Sequence, residues 1–338
     1  MAVRFGLFVP QGWKMDLVGV GSPVEQYEAM TAVAKAADAD PAWDSVWLYD
    51  HFHTVPEPTM ETTFECWTAT ATLARDTERV KIGQMVGCNG YRHPALYAKI
   101  ASTVDVASHG RLYAGIGAGW YEHEWRAYGF GGEGTEGNAH APSGGFPAVP
   151  ERMGMLREAV EVVHRMWTED TPSFKGRRYA IDGPINEPKN ARGTPEGKIP
   201  LWIGGGGEKV TLRLVAQYGD ACNIGRDAET VRRKLDVLKG HCDDVGRDYD
   251  EIVKSAEADV VLIEPGTDPE EATASLRGKI PFGQYAATTV VGTPETVRAH
   301  LAGLVEAGID YVIVYMPRLA HDREPMERFA REVIPHFA

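Results

Sequence analysis

Eight short apolar runs rich in β-branched and aromatic residues alternate with longer segments of helical period, and this alternation constrains the fold more than any other feature of the chain. The runs are 3–9, 44–49, 80–86, 111–117, 200–204, 220–225, 252–263 and 311–316. Helices are expected at 23–39, 62–76, 94–108, 150–168, 207–218, 228–245, 294–307 and 323–334. Ser22-Pro23 and Thr293-Pro294 each put a capping hydroxyl before a proline at the first helical position, and Gly219 and Gly308 mark stops. Strand and helix repeated eight times predict an α/β chain closed as a TIM (β/α)8 barrel rather than an open doubly wound sheet, in one domain over 1–338.

Two stretches interrupt the alternation. Residues 129–149 are glycine-rich and poor in large apolar side chains, so they read as a mobile insertion loop after the fourth strand. Residues 172–199, with SFKGRRYAI and several prolines, read as a hairpin and an irregular connection before the fifth strand.

Charge narrows the partners. The net charge of −13, with no basic run, argues against nucleic acid. The N-terminal stretch lacks a signal-peptide core and no segment reaches the length of a membrane span, so a cytoplasmic location is expected. Cys66, Cys88, Cys222 and Cys242 lie far apart without a C-x-x-C pair, which speaks against a disulfide framework or structural zinc.

In a barrel the carboxyl ends of the strands carry the active site. Those ends deliver Gln11 and Trp13; Asp50, His51 and His53; Met85, Val86, Cys88 and Asn89; Gly117, Ala118, Gly119, Trp120, Tyr121 and Glu122; Gly204, Gly205, Gly206 and Gly207; Asn223 and Gly225; Glu264; and Met316. Aromatic rings, an Asp-His pair and two glycine clusters suit a large flat heteroaromatic ligand carrying a phosphate. Four consecutive glycines before a helix let backbone N–H groups converge on an anion without a Cβ in the way.

Other motifs fail. Ala114 to Gly119 does not complete the dinucleotide fingerprint G-x-G-x-x-G, because Trp120 follows Gly119. His123-Glu124 opens like a zinc-protease helix, but Ala127 stands where the second histidine is required, so no metal is expected and Glu124 is assigned to the start of a short helix. His51 has the best titratable chemistry, since an adjacent carboxylate or carbonyl can fix its tautomer near neutral pH. His93, before Pro94, is read as a helix cap or a phosphate-side contact.

Taken together, GLFVPQGW, WLYDHF, YRHPALYAKIASTVDVASHGRLYAGIGAGWYEHEWRAYGF and PLWIGGGGEKVTLRLVAQYGDACNI resemble the bacterial luciferase-like superfamily. Within it the likeness is to deazaflavin (coenzyme F420)-dependent oxidoreductases, beside FMN monooxygenases of the same fold. The resemblance implies a TIM-like barrel, a homodimer, and a cofactor lying across the carboxyl face. It places Asp50 and His51 beside the ring as catalytic groups, with Gln11 and Asn89 among the cofactor contacts. Met85-Val86 would be the family's bulge, often a non-prolyl cis peptide, behind the ring. Gly204 to Gly207 would hold the phosphate, with Gly117, Ala118, Gly119, Trp120 and Tyr121 along the tail, for which Arg92, Arg126 and Arg318 are cationic candidates. Trp13, His53, Trp120 and Met316 would face a small-molecule substrate.

One departure separates the chain from the family's sugar-phosphate dehydrogenases, where a proton-donating glutamate stands at the position of Trp120; Glu122 is the shifted acid left nearby. The cysteine after the second strand of alkanesulfonate monooxygenases is missing too. The resemblance implies hydride transfer between F420 and a small organic substrate, with His51 assisting a proton. An FMN-dependent monooxygenase using dioxygen and a non-catalytic flavin- or deazaflavin-binding protein stay open as alternatives.

Overall fold

Parallel strands cannot be joined by tight turns, so each apolar run needs a crossover, and the helical segments supply it. The structure, a computed structural model, describes residues 2–130, 145–194 and 197–337. Its strands are β1 (Arg4–Phe8), β2 (Ser45–Leu48), β3 (Lys81–Gln84), β4 (Gly87–Cys88), β5 (Leu112–Gly117), β6 (Ser173–Lys175), β7 (Ala180–Asp182), β8 (Leu201–Gly204), β9 (Ala221–Asn223), β10 (Val253–Leu262), β11 (Thr289–Gly292) and β12 (Tyr311–Tyr315). β1, β2, β3, β5, β8, β9, β10 and β12 pair in that cyclic order, all parallel, and β12 returns to β1 to close a (β/α)8 barrel.

The helices follow the expected pattern closely. Pro23–Ala39 begins at Ser22, whose hydroxyl accepts from Glu25 N–H while the Glu25 carboxylate accepts from Ser22 N–H at 2.6 Å. Thr293 caps Pro294–Glu306, and His93 caps Pro94–Ala107 by accepting from Ala95 N–H. Two helices start late. Cys66–Asp76 begins at Cys66 because Glu65 accepts from Trp67 and Thr68 N–H; Thr211–Tyr218 begins at Thr211 because a turn at 208–210 separates it from the glycines.

Three further differences have physical causes. The third strand ends at Gln84, and the Met85–Val86 peptide is cis before β4 resumes against β5. β11, four residues long, is too short for periodicity to reveal, and it pairs only with the outer end of β10. The helices Pro269–Ala272, Ala274–Arg277 and Phe282–Ala286 before it are equally short. The hairpin of 172–199 is present as antiparallel β6 and β7. Of the loop expected at 129–149, residues 131–144 lie outside the described residues.

Inside the barrel, Phe8, Trp47, Tyr113, Trp202, Tyr311 and Ile313 form a packed plug. The Trp47 ring occupies the space that a Cβ at Gly6 or Gly83 would need, so glycines on two neighbouring strands admit it to the axis. Asp44, Ser45 and Tyr311 join in hydrogen bonds of 2.6 Å beneath it. This plug closes one end of the barrel and leaves the carboxyl end hollow. Among the described residues no helix is long and apolar enough to cross a membrane.

Candidate active site

A cavity of about 530 Å3 opens at the carboxyl ends of the strands. Of the residues expected there, Trp13, Asp50, His51, Met85, Val86, Gly117, Ala118, Gly119, Trp120, Gly204, Gly205 and Gly207 line it together.

His51 is held from behind by a carboxylate that the sequence reading assigned elsewhere. Its Nδ1 lies 2.9 Å from Oε2 of Glu124, a fully buried side chain 73 residues away. Glu124 also accepts from Tyr91 Oη–H (2.6 Å), Phe52 N–H (2.7 Å) and His53 N–H (2.8 Å). Burial raises this carboxyl, but these donors outweigh it and hold Glu124 below its ordinary value. A carboxylate only accepts, so the proton sits on His51 Nδ1 and Nε2 is left as the basic nitrogen. Trp13 stacks flat on the imidazole, with centroids 4.2 Å apart and planes at 3°, while Trp120 and Tyr121 meet it edge-on at 5.6 and 5.8 Å.

Asp50, adjacent in sequence, does not orient His51. Its two oxygens accept from the Arg92 guanidinium at 2.5 and 3.0 Å, and Oδ2 also accepts from Cys88 N–H at 2.8 Å. Arg92 reaches Glu65 as well, at 2.5 Å. Burial disfavours the guanidinium charge, but the two carboxylates outweigh it and hold Arg92 above its ordinary value. Cys88 is no nucleophile, because burial pushes its thiol up to about 12 and Asp50 adds to the shift.

The glycine clusters form one cradle. A Cβ at Gly117 would stand 2.5 Å from Val86 Cγ2, and one at Gly204 would stand 2.6 Å from Val86 Cγ1, so Val86 fits between β5 and β8 only because both are glycine. Gly205 has φ +114°, a conformation L side chains rarely adopt. At Gly206 the Lys234 ammonium fills the place of a side chain, and Lys234 has no ion pair among the described residues.

Other expected residues stand away from the cavity. Gln11 is spent on the scaffold, donating to Phe64 C=O (2.6 Å) and accepting from Tyr49 N–H (2.8 Å). Asn89 donates to the Tyr179 hydroxyl, Tyr121 donates to Thr54 C=O, and His53 meets His123 at 3.1 Å. Glu122 is an exposed partner of Arg126, and Met316 is buried. Of the cations proposed for a tail, Arg92 is thus buried in the Asp50 pair and Arg126 is engaged by Glu122, whereas Arg318 is exposed.

Tyr49, Tyr91, Arg226 and Glu257 also line it, without having been singled out as site residues from the sequence. A signal for part of this existed. Ser255, Glu257 and Asp259 alternate along β10, and charged residues at period two inside an apolar strand point to a polar barrel interior.

Comparisons with known proteins bear on the chain as a whole. An F420-dependent glucose-6-phosphate dehydrogenase of Rhodococcus erythropolis (strain PR4 / NBRC 100887) is 28% identical over 351 residues, covering 94% of this chain and 96% of the relative. The fold matches an F420-dependent secondary alcohol dehydrogenase in complex with an F420-acetone adduct, with TM-score 0.72, 19% identity, and coverage of 100% of this chain and 98% of that one. It also matches the monooxygenase RslO1 from Streptomyces bottropensis, with TM-score 0.76, 18% identity, and coverage of 99% and 100%. The model of the luciferase-like monooxygenase family matches residues 3–282, which is most of the chain, and the protein therefore belongs to that family.

Proposed function

We propose that this protein is an oxidoreductase that moves a hydride between coenzyme F420 and a small organic substrate. The observation that carries the reading is the facing pair of features across one cavity: His51, oriented by buried Glu124, and the glycine cradle around Val86.

The residues present fit a flat ring with a phosphate-bearing tail. Met85 and Val86 give an apolar support, Gly117, Gly204, Gly205 and Gly207 give bare backbone, and Lys234 beside Gly206, in no ion pair among the described residues, supplies a counter-charge. Burial and the neighbouring Arg233 lower Lys234, and an anion at the glycines would offset both. F420, when bound, supplies hydride transfer at C5 of its deazaflavin ring. The chain's own work is positioning and proton handling. Glu124 fixes His51 with Nε2 basic, Trp13 holds the imidazole plane, and Trp120 shields the mouth, so Nε2 is the atom that takes a proton from a substrate hydroxyl or returns it. By the resemblance, Trp120, 57% exposed, stands where the sugar-phosphate dehydrogenases carry their acid, so glucose 6-phosphate is not the substrate proposed here.

Titrating the protein with F420 and with FMN while following fluorescence quenching tests the reading, with F420 expected to bind about tenfold or more tightly. Tighter FMN binding would favour the dioxygen-using alternative, and tight binding without reduction by any donor would favour a carrier. His51→Ala should slow turnover at least about tenfold while F420 still binds; unchanged turnover would remove His51 from the mechanism.

A further inference from the structure

The part of the cavity lining that holds Trp13, Tyr49, Arg226 and Glu257 is unfinished in a specific way. Tyr49 and Trp13 line it at 7% and 8% exposure, yet the Tyr49 hydroxyl and the Trp13 indole N–H have no hydrogen-bond partner. Buried donors are normally satisfied, and two unsatisfied ones on side chains that line one cavity point to an acceptor that belongs beside them.

The charges beside them are already matched. Arg226 donates to Glu257 at 2.8 Å and lies 3.3 Å from Asp259, whose second oxygen accepts from Lys14 at 2.9 Å. Asp16 accepts from the Tyr315 hydroxyl at 2.5 Å. Two cations therefore meet two carboxylates in three ion pairs, and the Arg226 guanidinium is flanked by both. An anion entering here would have to draw Arg226 away from both or lie against them.

We infer that this wall binds the substrate, and that the substrate is an uncharged molecule bearing a hydroxyl or carbonyl oxygen rather than a phosphate ester. The oxygen accepts from the Tyr49 hydroxyl and the Trp13 N–H. Glu257 and Asp259 keep Arg226 from serving as a phosphate clamp, which is a reason independent of Trp120 for a substrate class unlike that of the sugar-phosphate relatives. The word substrate rests on the hydride-transfer reading; the charge preference of the wall does not.

Cyclohexanol and cyclohexyl phosphate form a matched pair of probes, titrated calorimetrically into the protein with and without F420. Cyclohexanol is expected to bind at least about tenfold more tightly. Glu257→Gln combined with Asp259→Asn frees Arg226 and should tighten the phosphate ester about tenfold or more. Tyr49→Phe should weaken the alcohol about three- to tenfold without lowering the thermal midpoint, and it decides the matter if the double variant does not fold.

Equal or tighter binding of the phosphate ester to the unaltered protein overturns the inference. So does an unchanged alcohol affinity in Tyr49→Phe, or binding of neither probe at tens of millimolar. The outcomes separate from those of the previous reading: no F420 binding with the preference intact sinks hydride transfer alone, and F420 binding without the preference sinks this inference alone.

Discussion

The two walls of the cavity take similar side chains out of water and treat them in opposite ways. On the His51 side, Glu124 collects four donors and Asp50 three, and Glu124 is held below its ordinary value. On the Arg226 side, burial dominates for Glu257 and Asp16 and pushes both carboxyls up, while the Tyr49 hydroxyl goes unpartnered. Burial alone thus does not set the sign of a shift; the number of donors supplied by the fold does. One wall is complete as folded and can keep an imidazole in place. The other is complete only with a ligand.

The contrast can be broken at its strongest point first. Glu124→Ala leaves His51, Tyr91 and two backbone N–H groups without their acceptor, and should cost about 3–5 kcal/mol in chemical denaturation, as removal of one member of a buried charged network does. A loss under about 1 kcal/mol would mean that water replaces the carboxylate, and the wall would not be preorganised. Tyr91→Phe removes one hydrogen bond to that charge and should cost about 2 kcal/mol by the same measurement.

Acid titration sharpens the comparison. Because Glu124 is held low, its ionised form stabilises the fold; that contribution is complete above about pH 4.5, the carboxyl's ordinary value, and is lost as pH falls through the folded-state value. Glu257 is raised, so its ionisation opposes folding, and its contribution declines as pH rises from that same ordinary value through the folded one. Below pH 4.5 the unaltered protein should therefore lose stability more steeply than Glu124→Gln, whereas Glu257→Gln should remove a loss that occurs with rising pH. Parallel profiles for both variants would show the walls to be equivalent. The smallest effect is expected at Tyr49→Phe, which removes an unsatisfied hydroxyl and should change stability by no more than about 0.5 kcal/mol. A loss equal to that of Tyr91→Phe would reveal a partner for Tyr49.

Much of the barrel was legible because its signals are local. The helix at 23–39 was placed to the residue by Ser22, Pro23 and its period, and the strand ends collected most of the cavity lining. The Glu124–His51 pair was not legible, since nothing within the helix Glu122–Ala127 tells that one of its carboxylates turns inward to a residue 73 positions earlier. Gln11 shows the converse: a polar side chain at a strand end reads as a ligand contact, and here it braces the backbone at Phe64 and Tyr49 instead. Three of the four consecutive glycines line the cavity, and part of the need for Gly204 lies in Val86, two strands away, which no local pattern could reveal.

Glu124 ties together the segments that follow β2, β4 and β5, through His51 to His53, Tyr91 and itself. Adding or deleting a residue in any one of these loops would tilt the imidazole, so the three can diverge only in concert. Change is then channelled to the other rim, where Lys14, Arg226 and Glu257 make no hydrogen bond to the Glu124–His51 pair. A single carboxylate therefore divides the mouth of the barrel into a conservative half and an adaptable one.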